Sequence, residues 1–352
     1  MGKKIVLTGG GTAGHVTPNL ALIPYLRKEG YEIAYIGSIG GIEQKLIEDF
    51  GIPYTAIKTG KLRRYFDPQN FTDPFRVMQG FHEAHKFLKE YRPNIIFSKG
   101  GYVSVPVVHA ASLMRIPCIC HESDLTPGLA NKLCTPFAEK ICCNFPETMK
   151  ELPESKAVLT GTPIREELFK GDKETGKKLC GFTDDKPVLM VIGGSLGAAS
   201  VNRSVRGALD ELLKDFNVVH ICGKDKMDNL MLTIPGYKQF EYVKDNLNHL
   251  YAMADIVISR AGANAICELL ALKKPHILVP LPTGRGDQKL NAASFKAQGY
   301  SICVEDDDLP DVILDKVHEL YENRQHYIDV MAKSSQINSV PIIMKMINEL
   351  AK

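Results

Sequence analysis

The chain has 352 residues, of which 44% are apolar and 24% charged. This is the balance of a soluble globular protein, and it excludes disordered, collagen-like and coiled-coil classes. At about 150 residues per domain two domains are expected. Lysine and arginine total 43 against 41 acids, a net charge of +2, so any basic site is local and no nucleic-acid partner is expected.

Short apolar runs alternate with amphipathic stretches. Lys4–Thr8 predicts a buried strand, and Pro18–Lys28 a helix with Thr17 as its N-cap. Glu32–Gly37 is the next strand, and Ile42–Phe50 a helix closed by Gly51. Strands over Asn94–Ser98 and Pro117–His121 flank a helix from Ser104 to Met114. The pattern restarts at Pro187–Ile192, followed by a helix with Val201, Val205, Leu209 and Leu212 at helical spacing. Strands follow over Asn217–Cys222, Gln239–Val243, Ile256–Ser259 and His276–Val279. The order is β-α-β throughout, which implies α/β architecture with parallel sheets. The polar stretch Glu147–Lys186 holds the junction, giving an N-terminal domain over 1–164 and a C-terminal domain over 165–352 whose last helix can return to the first. The halves repeat one motif order, so two facing Rossmann-like domains are expected.

A strand that ends in glycines and turns into a helix offers bare N–H groups and the positive end of a helix dipole, both suited to phosphate. Gly9-Gly10-Gly11-Thr12-Ala13-Gly14, Gly193-Gly194-Ser195-Leu196-Gly197 and Ala261-Gly262-Ala263-Asn264 have this form, and Lys99-Gly100-Gly101 is a shorter version. The first matches G-x-G-x-x-G, but the second strand ends Gly37-Ser38 without the acid that a dinucleotide site needs, and there is no Walker A sequence. Glu268 stands on the helix that opens at Gly262, where it either meets ribose hydroxyls or is a solvated acid; Gln288 and Asn291 either bond a sugar or serve a loop and helix cap. His15, beside the first loop, is either a neutral base or a backbone-bonding side chain, and Glu122 and Asp124 are rival bases.

Nine cysteines without a CxxC pair predict reduced, buried thiols, and Asp306-Asp307-Asp308 predicts a solvated turn rather than a metal cluster. No metal site or cofactor is expected. Lys3 and Lys4 precede too short an apolar run for a signal peptide, and Val103–Met114 is cut by Pro106 and His109, so any membrane role is expected to be peripheral. Lys61, Arg63, Arg64 and Phe66, then Phe71, Phe75, Met78 and Phe81, mix cations with apolar groups; they form either a core-facing helix stripe with a basic edge or a patch on an anionic membrane surface.

These loops, with Gly100-Gly101-Tyr102-Val103-Ser104, His121-Glu122, Pro127-Gly128-Leu129-Ala130-Asn131-Lys132, Gly161-Thr162-Pro163-Ile164-Arg165 and Asp287-Gln288, resemble the MurG-type UDP-N-acetylglucosamine:lipid-linked N-acetylmuramoyl-pentapeptide transferases of bacterial peptidoglycan synthesis. The resemblance covers nearly the whole chain. It implies a GT-B type glycosyltransferase with a deep interdomain cleft and a metal-independent, inverting transfer of N-acetylglucosamine from UDP-N-acetylglucosamine to an undecaprenyl-linked muramoyl-pentapeptide (lipid I to lipid II). It places such an enzyme on the cytoplasmic face of the cell membrane as a peripheral protein. It implies Arg165 and Ser195 on the UDP moiety, Val243 near the pyrimidine, Ala263 and Asn264 at the donor loop, Glu268 on the ribose, Gln288 and Asn291 on the sugar, and Thr12, Ala13 and Gly14 approaching the donor. Ser123-Asp124 stands where the family usually has Gln-Asn, and Thr162 where it has Asn. The alternatives are a related UDP-sugar transferase for another lipid or small acceptor, a UDP-sugar epimerase, or a catalytically impaired sugar-nucleotide-binding paralogue.

Overall fold

Ile5 and Leu7 are fully buried in one hydrophobic cluster, and Val6 between them in another. Successive side chains of a strand point to opposite faces, so a strand covered on both faces reads as one continuous apolar run. In the computed structural model, which describes residues 2–60, 69–194, 197–282, 286–336 and 339–351, this strand lies at the centre of a parallel sheet. The chain divides into two α/β units, Met1–Arg165 with Asn338–Lys352, and Glu166–Ile337.

The first unit holds β1 (Lys4–Thr8), β2 (Glu32–Ser38), β3 (Tyr54–Ile57), β4 (Ile95–Ser98), β5 (Cys118–Glu122), β6 (Lys140–Cys143) and β7 (Ala157–Leu159). Their order is β3-β2-β1-β4-β5-β6-β7. The order reverses beside β1, where Thr8 lies between Ile36 and Ser98, and ligands of open α/β sheets bind at such a switch point, outside the strand C-termini. On one face Leu22, Ile23 and Leu26 of the helix Thr17–Lys28 pack with Ile343, Met344 and Ile347 of the helix Ser339–Leu350. The chain's last helix thus belongs to the first unit's core. On the other face lie Ala84 and Leu88 of the helix Gln69–Tyr91 and Val107 and Ala111 of the helix Ser104–Leu113. Thr17, expected as an N-cap, is the first helical residue: Val16 at the cap position already has helical dihedrals, with φ −106° and ψ −49°, and makes no side-chain cap bond.

The second unit holds β8 (Val188–Ile192), β9 (Asn217–Ile221), β10 (Tyr237–Phe240), β11 (Ile256–Ser259), β12 (His276–Leu278) and β13 (Ser301–Cys303), in the order β10-β9-β8-β11-β12-β13. Its switch point lies between β8 and β11, where Ile192 pairs with Ser259. Val201 and Val205, with Ile313 and Val317 of the helix Leu309–Glu322, cover one face of this sheet. The strand expected over Gln239–Val243 starts earlier. Register against β9 sets Tyr237 opposite Val218 and Phe240 opposite Ile221, which leaves Val243 in the following loop.

Candidate active site

The loop after β1 is built from glycines because nothing larger fits. A Cβ on Gly9 would lie 2.6 Å from the His15 carbonyl oxygen, one on Gly10 would overlap the Glu43 carboxylate, and one on Gly11 would lie 2.6 Å from Tyr102 Cε1. Gly101, at φ +84°, has its Cβ position filled by the Gly10 carbonyl. The loops after β1 and β4 are therefore stacked on each other at the switch point. Glu43 fastens them. It is fully buried and accepts from Ser38 N at 2.8 Å, from Ser38 Oγ, and from Gly11 N at 3.4 Å. A carboxylate thus does lie at the end of β2, but it comes from Glu43 of the following helix Ile42–Glu48, five residues beyond Ser38, and it is engaged with the protein's own loop.

His15 closes the short 3-10 turn Ala13–His15, which leads into the helix Thr17–Lys28. Its Nδ1 lies 3.0 Å from Thr12 Oγ1, and its N–H donates to the Thr12 carbonyl at 3.1 Å. Thr12 is exposed, and Gly14 and His15 are half-buried. Glu122, the last residue of β5, is only 5% exposed. It accepts from Asp124 N at 3.0 Å, from Gly128 N at 2.9 Å and from Asn131 Nδ2 at 2.8 Å. Its carboxylate is the hub of the loop 122–128, with both oxygens in use. Asp124 is half-buried in that loop, and Thr148 Oγ1 reaches its carbonyl at 3.4 Å. Of the three candidate bases, His15 stands at β1, and Glu122 and Asp124 at β5 on the far side of β4. Thr162 is 2% exposed, and its carbonyl accepts from Ser339 Oγ at 2.6 Å, which ties the junction motif to the last helix. Arg165, half-buried, ends the first unit's N-terminal stretch.

In the second unit Ser195 lies outside the described residues. Around it, a Cβ on Gly193 would lie 2.5 Å from Ala198 N, and one on Gly197, at φ +69°, would overlap the Cys222 carbonyl. The helix Ala199–Gly207 follows directly. Ala263 and Asn264 open the helix Ala263–Ala271 after β11, and Glu268 lies one turn beyond Asn264 on the same face. Both polar residues are half-buried. Gln288 and Asn291 lie on the helix Asp287–Ala297. Gln288 Oε1 accepts from Leu281 N at 3.0 Å, and the buried Asn291 donates from Nδ2 to the Ala261 carbonyl at 3.2 Å. These two amides join the loop after β12 to the loop after β11. Val243 is half-buried beyond β10, at the far edge of the sheet.

Arg260, directly before the Ala261-Gly262-Ala263-Asn264 loop, ties this edge together. It donates to the Val279 carbonyl at 3.1 Å, to the Pro280 carbonyl at 3.3 Å, to Ser200 Oγ at 2.8 Å and to Asp306 Oδ1. Arg260 and Asp306 side chains are each 9% exposed. Asp306 is therefore a buried counter-ion, a correction to the expected solvated turn; Asp307 and Asp308 are exposed. Charged residues are read as surface by default, and only the fold brings positions 46 residues apart together. Among the described residues no group of three or more histidine, cysteine or acidic side chains has a metal-binding arrangement.

The glycosyltransferase family 28 N-terminal domain matches residues 5–143, and the glycosyltransferase family 28 C-terminal domain matches residues 188–347. A protein of Lachnospira eligens named UDP-N-acetylglucosamine--N-acetylmuramyl-(pentapeptide) pyrophosphoryl-undecaprenol N-acetylglucosamine transferase is 59% identical, over 99% of this chain and 100% of its own. A protein of the same name from Lachnoclostridium phytofermentans is 58% identical over 99% of each chain. The crystal structure of Acinetobacter baumannii MurG superposes with a TM-score of 0.77 at 25% identity, covering 99% of both chains.

Proposed function

The chain belongs to glycosyltransferase family 28, and on that premise we infer that it is a hexosyltransferase moving N-acetylglucosamine from UDP-N-acetylglucosamine to the lipid-linked muramoyl-pentapeptide, the lipid I to lipid II step of peptidoglycan synthesis. The observation that carries this reading is 59% identity, end to end, with a relative of that name. Fold alone would not carry it, because one fold hosts many reactions.

The second unit binds the donor. The glycine loop after β8 and the start of the helix Ala263–Ala271 present N–H groups and helix N-termini to the diphosphate, with Ser195 adding a polar contact and Glu268 on the ribose. Charge gathers on UDP as the anomeric bond breaks, and preorganised donors of this kind act most strongly at that moment. The first unit takes the acceptor. His15 is the base: its Nδ1, 3.0 Å from Thr12 Oγ1, holds the imidazole beside the first glycine loop, where it takes the proton of the attacking sugar hydroxyl. Glu122 shapes the neighbouring loop through its three bonds and is not free to exchange a proton without loosening it.

The acceptor is embedded in a bilayer, and among the described residues no helix is long and apolar enough to cross a membrane. We assign the contact to a peripheral patch on the cytoplasmic leaflet. The supporting feature is the helix Gln69–Tyr91, on which Phe75 is 70% and Met78 54% exposed. Lys61, Arg63, Arg64 and Phe66 lie outside the described residues, as does the side chain of Phe71. The transferase reading is tested by following UDP release. Purified protein should release UDP from UDP-N-acetylglucosamine only when the lipid-linked muramoyl acceptor is present. Release without acceptor, or none with it, overturns the reading.

A further inference from the structure

Lys99 ends the strand region of β4 and directly precedes Gly100 and Gly101, whose φ angles are +88° and +84°. It is fully buried, which is rare for a lysine. A Cβ placed on Gly9 would lie 3.1 Å from Lys99 Cβ, so the Lys99 stem runs directly against the first glycine loop. Its ammonium meets His121 Nδ1 at 3.0 Å and donates to Ser123 Oγ. His121 is itself fully buried, and its Nε2 lies 2.9 Å from the Gly161 carbonyl, which can only accept. The imidazole therefore carries its proton on Nε2 and receives the lysine's N–H on Nδ1. Burial, and then the Lys99 charge, hold its pKa well below the usual histidine value, so it adds no charge of its own.

We propose that Lys99 is a positioning residue whose buried charge underlies the stacked glycine loops of the first unit and draws the anionic diphosphate of the lipid acceptor onto their N–H groups. The inference rests on the acceptor assignment above. A charge walled off from water acts at greater strength over several ångströms than an exposed one, which the solvent screens. The loop N–H groups give direction and the lysine gives charge, without touching the ligand. His121 and Ser123 fix where that charge stands. Glu122, on the same strand end, is engaged by Asp124 N, Gly128 N and Asn131 Nδ2.

The test uses two competitors of the acceptor that share the prenyl chain and differ in the diphosphate, a short-chain prenyl diphosphate and the matching prenyl alcohol. In Lys99→Met the diphosphate should bind about tenfold more weakly, the alcohol as before, and UDP as before. Ser123→Glu sets a carboxylate beside the ammonium from a half-buried loop position, and it should produce the same selective loss even if Lys99→Met does not fold. The acceptor KM should rise in both, with kcat changed less. Equal losses for diphosphate and alcohol would make Lys99 a structural residue, and unchanged diphosphate binding would make its charge irrelevant; either overturns the proposal. A parent protein that transfers no sugar would overturn the transferase reading instead, and the diphosphate-to-alcohol ratio would still read Lys99.

Discussion

His220 and His276 are buried in the second unit as neutral imidazoles. His220 lies 2.9 Å from both Tyr237 Oη and Asn202 Oδ1, and His276 Nδ1 donates to the Lys274 carbonyl at 2.7 Å. Burial, then the Arg206 charge, lowers the first to about 3, and burial lowers the second to about 4. Unfolded histidine titrates near 6.5. Between those values the unfolded chain holds protons that the folded one refuses, so this contribution is complete above about pH 7 and is lost as pH falls. Denaturant unfolding between pH 7 and pH 5 should show the second unit's stability falling, and His220→Gln should flatten the slope by about 1 kcal/mol per pH unit. A variant with the parent's slope would mean that His220 is charged in the fold. Glu268 is a different case, because the ribose contact proposed for it is one made alike in ground and transition states. Glu268→Ala should raise the donor KM about 10- to 100-fold with kcat nearly intact, the range expected for a charged hydrogen bond. A collapse of kcat at saturating donor would place Glu268 at the reacting carbon instead.

At the scale of elements, the loops at the second unit's switch point depend on one buried ion pair. Asp306→Ala leaves the Arg260 guanidinium buried with its carboxylate removed, and the second unit should lose about 3–5 kcal/mol. Asp306→Asn, which keeps an acceptor for Ser200 and Arg260, should lose less. Near-parental unfolding of the alanine variant would show that the carbonyls of Val279 and Pro280 hold Arg260 unaided. The central strands β1, β8 and β11 were legible in the sequence because burial on both faces demands apolar side chains at every position. The edge strand β10 was misplaced because only alternate positions of Tyr237–Phe240 are buried, so the apolar signal is diluted. The short strands β3, β6, β7 and β13 went unread because none of them is buried at every position, unlike the equally short β11. The glycine loops were legible through composition. Glu43, Lys99 and Asp306 were not, since each is a charged residue whose burial follows from the packing of distant segments.

At the scale of the whole molecule, a chain without a described spanning helix has to reach a substrate held in a bilayer. The helix Gln69–Tyr91 offers two kinds of apolar side chain. Phe81 packs against the first unit's core, whereas Phe75 and Met78 stand in solvent, 70% and 54% exposed. The stripe is therefore not wholly a core face. Exposed apolar groups next to cations suit the headgroup region of an anionic leaflet, where each lysine or arginine contributes about 1 kcal/mol. Replacing Arg63 and Arg64 together by serine should then weaken binding to phosphatidylserine-containing vesicles about 30-fold, which corresponds to about 2 kcal/mol. Phe75→Ser with Met78→Ser should weaken it by loss of apolar burial, and should do so equally at low and high salt. The arginine variant should also lose much of the salt dependence, because the attraction it removes decays within about 8 Å at physiological ionic strength. UDP binding, read by calorimetry on the same samples, should stay at the parent's value in both variants. If both bind anionic vesicles as tightly as the parent, this helix does not carry the membrane contact, and the exposed Phe75 and Met78 belong to some other surface.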